Sequence, residues 1–231
     1  MSTPHSYGIS LPNGCTIVHG QGANIKHPFR DIPVEMHELD PGGSGGQRAF
    51  SGQLGFIEFT TDFRLPRHVH ISSSSSSSFS PPSTSTDTDT HPETAQTETQ
   101  TQKFIAERIV VLNGVALVEL NGTIYVIPPK TLVTIAPGVP HTWTACPAGV
   151  SVPVSRGAGA AAKVDSDGTF LMLYEYEEPT AFFPTRQTRT LGSVDEYERC
   201  DDLEAIRIPR LSADEVLRRC SFVWDRTLTS P

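Results

Sequence analysis

No stretch of this chain approaches the ~20 consecutive apolar residues that a membrane-spanning helix needs. Basic charge is also scarce: 18 Lys and Arg stand against 26 Asp and Glu, for a net charge of −8. The basic side chains form no cluster, so the electrostatic footprint of a nucleic-acid partner is missing. Cysteine is limited to Cys15, Cys146, Cys200 and Cys220, with neither CxxC nor metal-finger spacing, and four reduced thiols are expected. The opening MSTPHSYGISLPNG lacks the basic region and apolar run of a secretory signal. These absences together point to a soluble, cytoplasmic protein with no membrane and no nucleic-acid partner.

What is present is a series of short strand patterns. Residues 1–50 are rich in Gly, Pro and His and read as an irregular N-terminal arm with one or two edge strands. In LGFIEFTTDFRL, Ile57, Phe59, Thr61 and Phe63 alternate with Glu58, Thr60, Asp62 and Arg64, the period of a half-buried strand. VALVEL, TIYVI, TLVTI and TFLMLYEYEE read as further strands, and Asn121-Gly122 between the first two is a strong hairpin signal. Two Ser-x-x-Glu sequences, Ser193–Glu196 and Ser212–Glu215, fit the capping box, and the second opens a helix with Val216, Leu217 and Cys220 expected on one side. The organisation expected is an arm (1–50), an antiparallel β domain (51–180) and a tail with two short helices (181–231).

The β domain is interrupted. Residues 72–102 are almost entirely Ser, Thr, Pro, Asp, Gln and Glu, with too little apolar surface to offset chain entropy, and are expected to be disordered. Just before this tract, His68 and His70 sit two apart on a strand, so both side chains face one side. Just after it comes Glu107, and His141 follows the Pro137-Gly138 turn. Replacing a tight turn by a loop of this length costs only about 2 kcal/mol of closure entropy, because the cost grows as (3/2)RT ln n. The flanking strands can therefore still pair and bring His68 and His70 beside Glu107. Three imidazoles and one carboxylate make a site suited to one divalent transition metal, Fe, Mn, Ni, Co, Zn or Cu.

This arrangement resembles the cupins, whose first motif reads G-x5-H-x-H-x3-4-E-x6-G and whose second contains P-x-G-x2-H-x3-N. His68-Val69-His70 matches the pair, Glu107 is followed by Gly114 at the motif's spacing, and Gly138-Val139-Pro140-His141 matches G-x2-H. Asp62, Ala136 and Ala145 depart from the motif, and the long interval between His70 and Glu107 departs most. The resemblance implies a double-stranded β-helix, or jelly-roll, barrel with His68, His70, Glu107 and His141 as metal ligands. It also implies a homodimer, since cupins often pair through edge strands and swapped arms.

Around that centre, Ile109, Val111, Val133, Ile135, Trp143, Leu171 and Leu173 are expected to form an apolar lining, which favours a mostly apolar small-molecule substrate. Trp143, Tyr125 and Tyr174 are the candidates for the substrate pocket, and Tyr176 shares their chemistry. Glu119 and Glu175 are candidates for a general base, although Glu119 falls on a polar face expected to meet solvent. His5, His19, His27, His37 and His91 are expected to be ordinary surface residues, and no catalytic residue is singled out. The function expected is a metal-dependent oxidoreductase of dioxygenase or oxidase type, iron first among its metals, acting on an aromatic or polyketide-like molecule of secondary metabolism. The alternatives are an isomerase, decarboxylase or cyclase without O2, and a non-catalytic binding cupin.

Overall fold

The computed structural model describes residues 3–5, 8–26, 36–39, 53–72, 102–154 and 162–229. Apart from its two end residues, the tract expected to be disordered lies outside this set, as do His27 and His91 and the side chains of His5 and His37.

Apolar alternation resolves into two stacked sheets. The first has seven strands in the order Thr3–His5, Gly8–Ser10, Thr16–His19, Thr131–Ile135, Glu107–Gly114, Thr169–Tyr176, Leu54–Thr60. The second, also of seven, runs Thr180–Pro184, His68–Ser72, His141–Ala145, Ala116–Leu120, Thr123–Ile127, Ser221–Trp224, Thr227–Thr229. From Leu54 onward the chain passes repeatedly from one sheet to the other. The fold is all-β, but the described strands make these two open sheets and two small two-stranded ones, Ser151–Pro153 with Lys163–Asp165 and Asn24–Lys26 with Met36–Glu38, rather than a closed barrel. Nor is the pairing antiparallel throughout, since Thr123–Ile127 runs parallel to Ser221–Trp224. That strand comes from the C-terminal tail, which sequence patterning had marked only for helices.

The hairpin at Asn121-Gly122 forms as expected. Leu120 pairs with Thr123, and both turn residues have positive φ, 51° and 80°, as a two-residue type I′ turn requires. The core lies between the inner sheet faces: Ile17, Phe59, Ile109, Val111, Val133, Phe170 and Met172 from the first meet Val118, Leu120, Ile127, Trp143 and Ala145 from the second. On Thr169–Tyr176 the inward residues are Phe170 and Met172, so Leu171 and Leu173, expected in the lining, face outward instead. Phe63, expected to continue the alternation, lies past the end of its strand and is exposed.

The second sheet is covered on its outer face too. Leu117, Val126 and Cys146 pack there against Val150, Val152, Ile208, Val216 and Cys220. Val216 and Cys220 belong to the C-terminal helix Ala213–Arg219 and its cap, while Leu217 points to solvent, about 100° round the helix from Val216. Its capping box is complete: Glu215 N–H donates to Ser212 Oγ at 3.3 Å and Ser212 N–H to Glu215 Oε2 at 2.8 Å. The Ser193 box does not form, and that segment is a single 3-10 turn, Val194–Glu196. No described helix is long and apolar enough to cross a membrane.

Candidate metal centre

The chain closes across the long tract. Ile71 bridges Phe104, Ser72 N–H donates to the Lys103 carbonyl at 2.9 Å, and Ile105 N–H donates to the His70 carbonyl at 3.1 Å. His68 and His141 are direct cross-strand partners, while Glu107 lies in the facing sheet between Ile135 and Tyr176. Two tight turns hold this register. Gly114 has φ 66°, and a Cβ there would sit 2.2 Å from the Thr169 carbonyl oxygen; Gly138 has φ 73°, with the Leu191 carbonyl oxygen equally close. Only glycine fits either place.

His68, His70 and His141 converge so that their ring nitrogens lie within 4.8 Å of one another, and each residue is 1% exposed. Every Nδ1 has a carbonyl partner: Pro66 at 2.8 Å for His68, Ala181 at 3.2 Å for His70 and Val139 at 2.9 Å for His141. A carbonyl only accepts, so each Nδ1 carries the proton and each neutral ring turns a bare Nε2 lone pair elsewhere. That direction is the centre. Glu107 Oε2 stands 3.0 Å from His141 Nε2 and 3.5 Å from His70 Nε2. None of these three atoms has a properly angled hydrogen bond, although all are buried.

Three buried acceptors facing one another without a properly angled donor are unfavourable unless a cation lies among them. Protons meet that need poorly. Burial, then the like charges of His141 and His70, pushes His68 well below its ordinary value, so His68 resists protonation. Burial pushes the Glu107 carboxyl up, yet His70 and His141 outweigh it and hold the group well below the usual carboxylate range. The buried His68, His70 and His141 form a group that could hold a metal ion, with the Glu107 carboxylate against two of its members.

Tyr176 is a member of the site that sequence reading left out of the pocket. Its ring lies 4.6 Å from that of His70, and it is the direct cross-strand partner of Glu107. Burial, then the Glu107 charge, raises its pKa far above the ordinary phenol value, so it stays a donor. Phe182 is the other, with ring centroids 4.5 Å from His68 and 5.3 Å from His70.

The three pocket candidates divide. Trp143 follows His141 on the inward face, is 1% exposed, and has an indole N–H without a hydrogen-bond partner. Tyr174 stacks on Tyr176 at 5.1 Å, one ring removed from the histidines. Tyr125 is not brought to the centre; it lines a surface depression with Pro12, Asn121 and Thr190. Neither base candidate lies there either. Glu119 is buried rather than solvated, 2.6 Å from Arg67 Nε, and Glu175 faces Arg108 on the outer side of its sheet. His19 is likewise buried, packed on Trp224 with ring centroids 5.0 Å apart. The four cysteines are free and buried.

No family model matches the chain, and no curated protein matches its sequence. The all-β fold with a buried three-histidine cluster is compatible with a cupin-like metal-binding β-sandwich.

Proposed function

We propose that this chain is a cupin-type metalloenzyme, an oxidoreductase that acts on a small, mostly apolar aromatic or polyketide-like molecule. The observation that carries the reading is the convergence of three buried imidazoles, each with Nδ1 tied to a carbonyl, with a carboxylate oxygen against two of them. His68, His70, Glu107 and His141 would hold the ion. Iron there would supply redox chemistry with O2, whereas Mn, Ni, Co or Zn would supply Lewis acidity.

The chain's own groups set the rest. Tyr176, opposite Glu107, carries a hydroxyl that does not ionise near neutral pH. Trp143 brings an unpaired N–H on the same strand face as His141, a donor for a polar substituent of an otherwise apolar ligand. Ile109, Val111, Val133 and Ile135 keep the interior dry, which strengthens such polar contacts.

Elemental analysis of protein purified without chelator tests the reading. About one equivalent of iron or copper, lost in His68→Ala and in His141→Ala, is expected. One equivalent of Mn, Ni, Co or Zn would move the reaction to the isomerase, decarboxylase or cyclase class, and a metal-free wild type would overturn the reading.

A further inference from the structure

The groups of the centre are closed to solvent: each histidine is 1% exposed and Glu107 3%. Among the described residues, the rings that meet these imidazoles from outside the cluster, tilted or edge-on, are Tyr176 and Phe182. Tyr176 is 4% exposed, whereas Phe182 is 45% exposed. Phe182 belongs to Thr180–Pro184, the terminal strand of its sheet, so among the described residues no further strand stands beside it. It is paired directly opposite His70, which puts both side chains on one face. Of the described rings in contact with the histidines from outside the cluster, Phe182 is therefore the one that meets solvent. On the facing sheet, the rings of Tyr176 and Tyr174 continue inward from His70. Aromatic rings from both sheets thus surround the approach, and such rings favour a flat partner that can stack or meet them edge to face.

We infer that Phe182 is the gate of this centre and its ring-selecting residue: it admits a planar aromatic ligand and retards a small aliphatic one that carries the same donor group. The inference rests on the metal-binding reading and adds to it the residue that sets ligand class. Phe182 offers no donor atom to the site, so its removal leaves the metal ligands in place.

Full-length protein loaded with cobalt(II) gives a visible spectrum that reports ligand entry without turnover. Benzoate and acetate offer the same carboxylate and differ in the ring. The wild type is expected to bind benzoate at least about tenfold more tightly than acetate, a difference of about 1.4 kcal/mol. In Phe182→Ala that ratio should fall to within about twofold and acetate should enter faster by stopped flow. Phe182→Tyr, which keeps the ring, should preserve the ratio. Phe182→Leu, which keeps apolar cover without a ring, should lose it and serves if the alanine variant does not fold. An unchanged ratio in the Leu or Ala variant, at full cobalt content, overturns the gate and leaves the metal centre standing. A wild type that takes up no cobalt overturns both.

Discussion

Leu112 and Leu117 lie on consecutive strands, each on the outer face of its own sheet, yet one is 44% exposed and the other 1%. The difference comes from what the chain lays over them. Leu117 sits under the C-terminal helix and the segment around Val150–Val152, whereas Leu112 meets solvent together with Leu54 and Phe56. One sheet is therefore packed on both faces and the other mainly on its inner face. The centre draws its three imidazoles from the doubly packed sheet and its carboxylate from the other. Rings that must hold one orientation thus stand on the more constrained element, which is where a metal site gains most from rigid support.

Truncating the two leucines measures that contrast. Leu117→Ala should cost about 2–5 kcal/mol, since a methyl cluster is removed from a closed layer. Leu112→Ala should stay within about 0.5 kcal/mol, as exposed substitutions do. Denaturant titration of both variants is the measurement, and equal losses would show that the outer layer is not packed as a core.

How much of this was legible beforehand depended on how local the signal was. The Asn121-Gly122 hairpin, the His68–His70 pair and the Gly-x-x-His turn each rest on a few adjacent residues with strict backbone demands, and all three structural features are present. Leu171 and Leu173 were misplaced because TFLMLYEYEE has apolar residues at both parities, so alternation cannot say which set points inward. Glu119 does lie on an outward face; its burial comes from Arg67 and from segments distant in sequence that cover that face. Phe182 and Tyr176 reach the centre only through cross-strand pairing with His70 and Glu107, a register that a single strand's pattern does not encode.

A smaller effect is expected at the end of the His68–Ser72 strand, where the Ser/Thr-rich tract leaves and returns. Ser72 and Lys103 are already hydrogen-bonded backbone to backbone, so residues 73–101 can be replaced by a four-residue turn without moving either end. Shortening should raise stability by up to about 2 kcal/mol through closure entropy alone and should leave metal content unchanged. Loss of metal on shortening would mean that the tract supports the His68 strand, and that the constraint on this sheet is not supplied by packing.

Alkaline titration asks whether the outer layer is as dry as the space between the sheets. Cys15 lies in the inner core and Cys146 in the outer one. Burial pushes the Cys15 thiol up from 9.0 to about 11 and the Cys146 thiol from 9.0 to about 12. Both shifts raise the pKa of a group that is neutral when protonated, so the folded chain keeps its protons where the unfolded chain releases them. The stabilising effect is full below pH 9 and declines as pH rises, at up to about 1.4 kcal/mol per pH unit for each thiol. For Cys15 the decline ends near pH 11 and for Cys146 near pH 12. Comparing each Cys→Ala variant with the wild type between pH 8 and 11 cancels the other titrating groups. Equal flattening of the two alkaline slopes would mean that the C-terminal cover excludes water as fully as the main core does. A Cys146→Ala variant with an unchanged slope would mean that water reaches that layer, and the second sheet would then be no better supported than the first.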